Sequence, residues 1–267
     1  MKCLSIPKIE EGSVNEDAAK ATEKWIAVSD GAGGGGVFAD LWSHYLIDHI
    51  PNDPFTDFDS FNNWLGGIWE PFYNECEEKA RHEGGFLLNK FYEEGSFATL
   101  AAVWKVSNRD CHWISYGDSV AFHYNKQTKK LEYSFSSLAD FNNPPFLINC
   151  KDEPQKEGFK HGTFGTDENS IVFATTDALA HYIIMMYQVC NCKTFEKELE
   201  SAITAHSKNS NFIQIAMSLE YFIFEDRVIN NLQNSLSCNM DFINYSRKLI
   251  KEGLLAYDDY SITVLSK

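Results

Sequence analysis

The chain has 267 residues, a formal net charge of -15 and a hydrophobic content of 44%, with 20 Phe and 6 Trp. That much apolar material fills a sizeable core and excludes a disordered acidic chain. The negative charge excludes nucleic acid and anionic membrane as partners, because both repel it, and leaves room for a bound cation.

The opening segment Met1 to Glu11 has no apolar stretch, so no signal peptide is expected. No apolar run approaches the length of a membrane span. The seven Cys, at irregular spacing, suit free thiols in a reducing, cytoplasmic setting. The close pair Cys190 and Cys192 lacks the further ligands of a zinc site.

Trp25-Ile26-Ala27-Val28 reads as a buried strand. After a glycine run, Val37, Phe38, Leu41, Trp42, Tyr45, Leu46 and Ile50 recur at helical spacing, and Pro51 and Pro54 end that helix. A second helix is expected from Ser60 to about Arg81, kinked or broken at Gly66, Gly67 and Pro71. Its Glu75, Glu77 and Glu78 read as a solvated face.

Phe97 to Val106, Cys111 to Tyr116, Val120 to Tyr124 and Leu131 to Phe135 are strand-like, and their short links suit an antiparallel meander. A loop-rich, proline-bearing stretch follows, then the buried strand Ile171 to Thr176. Residues 178–189, 194–206, 209–223 and 239–252 look helical, and Ser261 to Leu265 reads as the last strand. This order is not the βαβ alternation of a doubly wound sheet. It implies one α+β domain over 1–267, with a helical excursion at about 178–255 before the last strand.

Acidic residues sit where these strands end. Glu16-Asp17 precedes the first clear strand, Asp30 follows Trp25 to Ser29, Asp177 follows Thr176, and Asp258-Asp259 precedes the closing strand. Taken singly, each is a turn former or helix cap. Carboxylates that converge raise one another's pKa, and a hard divalent ion resolves the conflict because Mg²⁺ and Mn²⁺ prefer oxygen ligands. Two such ions ionise a bridging water and clamp a phosphoryl oxygen.

Gly31 to Gly36 also matches the dinucleotide pattern G-x-G-x-x-G between a strand and a helix. A dinucleotide fold needs a second strand with an acidic end about 20 residues on, and Pro51 to Asp57 reads as loop. Asp30 would repel a bare pyrophosphate, and no Gly-Lys-Ser/Thr is present. The glycines instead let the backbone turn sharply beside Asp30.

Six segments now stand in order: Asn15-Glu16-Asp17-Ala18, Val28-Ser29-Asp30-Gly31-Ala32-Gly33-Gly34, Gly95-Ser96-Phe97-Ala98-Thr99, Gly117-Asp118-Ser119, Ala174-Thr175-Thr176-Asp177-Ala178 and Asp258-Asp259-Tyr260-Ser261. The set resembles the motifs of the type 2C metal-dependent protein phosphatases, in the manner of a divergent, bacterial-type stand-alone member. That resemblance implies an α/β/β/α sandwich of two antiparallel sheets flanked by helices. It implies two Mn²⁺ or Mg²⁺ ions bridged by Asp30, with the Gly31 carbonyl on one and Asp177 and Asp258 completing the other. Glu16 matches an acidic residue that meets the second metal, Asp17 one that holds metal-bound water, and Asp118 the carboxylate of a weaker third ion. A metal-bridged hydroxide would then attack phosphorus without a covalent intermediate.

This chain departs from the pattern at several points. The Arg often found four residues before the Glu-Asp pair is Gly12, which leaves Lys8 as the candidate phosphate-binding residue. Ala32, Val120 and Ala178 replace a His, an Arg and a Gly. The expected function is hydrolysis of phosphoserine and phosphothreonine in a phosphoprotein substrate. Two alternatives stand beside it: a small-molecule phosphatase, and a catalytically weak binding or regulatory module that docks through 178–255. The second draws on Gly12 and on the apolar run Tyr221-Phe222-Ile223-Phe224, which ordinary burial habits assign to the core. The eight His are isolated, with no ligand spacing among them.

Overall fold

The computed structural model describes residues 2–266 apart from positions 11, 35, 205 and 206. Strands β1 (Lys2–Ile6), β2 (Ala18–Ala21) and β3 (Trp25–Ser29) lead into helices α1 (Ala39–Asp48), α2 (Phe58–Glu83) and α3 (Gly85–Glu94). Next come β4 (Phe97–Ala98), β5 (Leu100–Lys105), β6 (Asp110–Tyr116), β7 (Val120–Asn125) and β8 (Lys130–Tyr133). An irregular stretch carries the short β9 (Ile148–Asn149) and runs into β10 (Phe159–Gly165) and β11 (Ser170–Thr175). Helices α4 (Asp177–Cys190), α5 (Cys192–Thr204), α6 (Lys208–Met217), α7 (Asn231–Ser235) and α8 (Asn239–Lys251) precede β12 (Tyr260–Val264).

The strands form two five-stranded antiparallel sheets, in the orders β1-β12-β11-β7-β8 and β10-β6-β5-β3-β2. Side chains alternate between the two faces of a strand, and that alternation dictates the layers. Ile26 and Val28 of β3 point inward, against Ala101 and Val103 of β5 and against Ala121, Val172 and Ala174 of the opposite sheet. Trp25 and Ala27 point outward and are buried by Trp42 and Leu46 of α1 and by Phe61 and Phe72 of α2. In the other sheet Phe122 and Phe173 stack with centroids 4.9 Å apart on the outer face, under Tyr182, Ile183 and Met186 of α4. Both sheets are therefore apolar on both faces, and the layers run α/β/β/α as expected.

β11 and β12 pair directly, Phe173 with Val264, although 84 residues of helix and turn separate them in sequence. The helical block is thus an excursion from one end of that sheet. The predicted helix at 194–206 appears as α5, and its last two positions, 205 and 206, lie outside the described residues.

Four features differ from the sequence expectation. β1, β2 and β10 lie at sheet edges, where alternation is weak. In β10, Gly162 lets the Trp113 ring lie across the strand: a Cβ there would sit 2.5 Å from the ring. α2 runs unbroken through Gly66, Gly67 and Pro71, because its stripe of Phe61, Leu65, Phe72, Cys76 and Ala80 is buried and Asp57 caps its start by accepting the Ser60 N–H at 2.8 Å. The meander is also corrected: β6 and β7 lie in different sheets, and Gly117, at φ +86, turns the chain across the sandwich. Finally, the run 221–224 is not all core, since Tyr221 is 91% exposed and Ile223 52%, while Phe224 is buried. Among the described residues no helix is long and apolar enough to cross a membrane.

Trp42 pins α1 to its neighbours. It is fully buried, its ring lies 4.6 Å from that of Phe72, and its indole N–H donates to the Ile148 carbonyl at 3.0 Å. Trp42→Ala should lower unfolding stability in urea by about 3–5 kcal/mol. A loss below about 1 kcal/mol would contradict this packing.

Candidate metal centre

The strand ends β3, β11 and β12 and the β6–β7 crossover open into one cleft of about 270 Å³. Its walls include Glu16, Asp30, Gly31, Asp118, Asp177, Asp258, Asp259 and Lys8. A larger cavity of about 600 Å³ lies between α2 and residues 149–154, but chemistry, not size, singles out the carboxylate cleft.

Asp30 is held from both sides of its peptide. Its N–H donates to Thr99 Oγ1 at 3.2 Å, and its carbonyl accepts the Thr99 N–H at 2.9 Å. Thr99 is the residue at which the ladder breaks between β4 and β5, and its hydroxyl also meets Ser119 Oγ at 2.6 Å. Ser29 Oγ donates to the Thr99 carbonyl at 2.6 Å, which completes the stitch.

Gly31 has no room for a side chain. A Cβ there would lie 2.5 Å from the Glu16 carbonyl oxygen and 2.6 Å from that of Ala39. That proximity lets the Gly31 N–H reach the Glu16 carbonyl at 3.1 Å. The Glu16 carboxylate lies against the backbone of Gly33, where a side chain would otherwise begin.

The loop bearing Glu16 and Lys8 is clamped by Asp259, a buried residue whose carboxylate accepts the Lys8 N–H at 2.6 Å and the Glu16 N–H at 2.8 Å. The neighbouring Asp258 instead faces the cleft, where Lys8 Nζ stands 3.2 Å from its Oδ1. Asp17 lies behind the wall, buried, with Oδ2 accepting the Thr176 hydroxyl at 2.8 Å. Thr176 also accepts the Ser261 N–H at 3.0 Å, which ties the end of β11 to β12. Asp177 opens α4 and accepts its own helix's Ala178 N–H at 2.5 Å.

Burial is the first cause that raises these carboxyls, and mutual repulsion adds to it. Asp17 is pushed up to about 8 by burial, with the charges of Asp259 and Asp258 adding to it. Asp118 is pushed up to about 6 by burial and by Asp258. Asp30 and Asp177 are raised well above the usual carboxylate range by burial and then by neighbouring aspartates. Glu16 is raised as well, chiefly by burial.

The donor set fits a hard divalent cation. It is made of oxygen alone, and Asp118 Oδ1 is buried with no hydrogen-bond partner. The carboxylates share the cleft without forming a ready coordination shell: among the described residues no three His, Cys, Asp or Glu side chains are grouped to hold a metal as they stand. Three are turned onto a nearer donor, Asp258 to Lys8, Asp177 to Ala178 and Asp17 to Thr176.

Of the residues singled out from sequence, Lys8, Glu16, Asp30, Gly31, Asp118, Asp177 and Asp258 line the cleft, and Asp17 lies beneath it. Gly12, at φ +83, is not on its wall. Sequence reading placed Thr99, Thr176 and Asp259 within the six segments but gave none of them a role. The Asp258-Asp259 doublet and the hydroxyl beside each acidic strand end were the available signals.

At the level of sequence, no family model and no curated protein matches the chain. In three dimensions, PppA from Pseudomonas aeruginosa matches with a TM-score of 0.51 at 15% identity, over 100% of this chain and 97% of that one. The Mycobacterium tuberculosis serine/threonine phosphatase PstP matches with a TM-score of 0.53 at 12% identity, over 99% and 97%. Its fold is that of the type 2C phosphatases. A structure of the PstP catalytic domain in complex with two manganese ions also matches this type 2C fold, with a TM-score of 0.51 at 13% identity over 99% and 97%.

A raised carboxyl keeps its proton in the folded state while the unfolded chain has already lost it. Above pH 5 the folded state therefore binds more protons than the unfolded one, and stability falls as pH rises. Asn cannot ionise. In chelator, Asp30→Asn should therefore be more stable than the natural chain, by an amount that grows between pH 5.5 and 8 at up to about 1.4 kcal/mol per unit. Urea unfolding of both proteins across that range checks it, and a difference that is flat or reversed would overturn the assignment of strain to Asp30.

Proposed function

We propose that the chain is a divalent-metal-dependent phosphatase acting on phosphoserine and phosphothreonine esters, with 1–267 as one catalytic domain. The observation that carries this reading is the convergence of Glu16, Asp30, Asp118, Asp177 and Asp258 on one cleft, where burial and repulsion disfavour the ionised forms of the first four. Asp30, Asp177, Asp258 and Glu16, with the Gly31 carbonyl, would hold two Mn²⁺ or Mg²⁺ ions, and Asp118 would serve a further one. Bound there, such ions supply Lewis acidity and a water of lowered pKa.

The residues of the chain do the rest. Asp17, behind the wall and joined to Thr176, would orient water at the rear of the site. The Thr99 stitch fixes the Asp30 backbone, which keeps the root of its carboxylate at the cleft. A phosphate dianion needs a cationic grip in so acidic a cleft, and Lys8 is the one Lys or Arg among its lining residues. Its backbone is fixed by Asp259 and its ammonium already reaches the cleft wall at Asp258, so Lys8 would take a substrate phosphoryl oxygen where Gly12 offers nothing.

Purified protein should hydrolyse a phosphothreonine peptide with Mn²⁺ added and lose that activity in chelator. Asp30→Asn and Asp177→Asn should each lower kcat at least about a hundredfold. Lys8→Ala should raise KM about tenfold without weakening Mn²⁺ binding. Turnover that persists in chelator or in both aspartate variants would refute the proposal.

A further inference from the structure

A second cavity of about 200 Å³ opens beside the carboxylate cleft and shares two wall residues with it, Asp118 and Pro145. Its other walls include Phe135, Phe146, Pro144 and Lys160. Phe146 is 41% exposed, so part of its ring is open to solvent on the rim of the acidic cleft.

That ring is held in place by its backbone. A Cβ on Gly117 would lie 2.6 Å from the Phe146 carbonyl oxygen, and one on Gly158 would lie 2.7 Å from Phe146 Cβ. Two glycines thus let the chain close on Phe146 from both sides. Two residues further on, Ile148 pairs with Ala98, and Ala98 forms a bridge with Gly31. The ledge from Pro144 to Leu147 is therefore registered to the metal turn itself through backbone pairing. Leu147, the next residue along, lines the carboxylate cleft.

The contents of the cavity decide its occupant. Lys160 donates to Ser136 Oγ at 2.6 Å and stands 5.3 Å from the centroid of the Phe135 ring, so its ammonium is already engaged. Asp140 and the shared Asp118 carry the opposite sign, so the wall offers an anionic group no net attraction. Apart from Asn143 and two glycines, what remains is rings and prolines, Phe135, Phe146, Pro144 and Pro145, around a space of about 200 Å³ that suits one large side chain.

We propose that this cavity is a specificity subsite that receives a large apolar side chain next to the phosphorylated residue, which makes the substrate a phosphopeptide segment and not a small phosphate ester. This rests on the phosphatase reading of the adjoining cleft. Burial of such a side chain against Phe146 should be read out as about a tenfold gain in affinity.

The test uses phosphothreonine peptides with Phe, Gly or Asp at each position from two before to two after the phosphorylated residue. Turnover with Mn²⁺ is measured beside binding of the matching non-hydrolysable phosphonate peptides, followed by fluorescence anisotropy. At one flanking position, Phe should bind about tenfold more tightly than Gly or Asp and lower KM to match. Phe146→Ala, a surface change, should erase that preference and leave hydrolysis of free phosphothreonine unchanged. Turnover with no preference for Phe overturns the subsite and leaves the phosphatase standing. Preferential binding without any turnover sustains the subsite and overturns the phosphatase. A Phe146→Ala loss that extends equally to free phosphothreonine overturns the subsite, because the ring would then serve the cleft as a whole.

Discussion

Glu16, Asp30, Asp118 and Asp177 face one cleft that cannot comfortably hold them all ionised, and much of the surrounding structure keeps them there. Left to repulsion alone, Asp30, Asp177 and Asp258 would turn out to water. Hydrogen bonds to the main chain fix the segments that carry them at the cleft. Thr99 grips the Asp30 peptide at both ends, Thr176 ties β11 to β12, and Asp259 fixes the loop that carries Glu16 and Lys8. The cost of holding like charges together is offset by the burial in two apolar sheets.

The sandwich is what allows those strand ends to meet. Between the sheets the side chains are mostly small, with Ala101, Ala121, Ala174, Val28 and Val103 at the centre, so the sheets approach closely. The larger residues, Trp25, Trp42, Phe122 and Phe173, are turned outward under the helices. Since β3 and β11 end, and β12 begins, at one edge of the sandwich, Asp30, Asp177 and Asp258 converge although 228 positions separate the first from the last. The helical excursion between β11 and β12 leaves that edge undisturbed.

The acidic strand ends were legible because each sits directly against an apolar run: Asp30 after Trp25 to Ser29, Asp177 after the buried β11, Asp258 before β12. Burial contrast of that kind survives in sequence. Thr99 was legible as part of a short segment but not as a brace, because it stands inside one strand-like run, Phe97 to Val106, where nothing marks the break between β4 and β5. Asp258 and Asp259 are chemically equivalent as letters, and only the fold separates a cleft carboxylate from a buried clamp. The Gly117-Asp118 link is short enough for a hairpin, so its crossover between sheets could not be read from length. The edge strands β1, β2 and β10 lacked alternation because only part of each is covered.

The central claim is that protonated, crowded carboxyls are exchanged for bound cations. Calorimetric titration of Mn²⁺ at pH 7, in two buffers that differ in ionisation enthalpy, counts the protons released as the metal enters. The account predicts saturable binding with net proton release, and Asp30→Asn should weaken that binding at least about tenfold. Mn²⁺ binding without proton release, or binding that Asp30→Asn leaves intact, would contradict it.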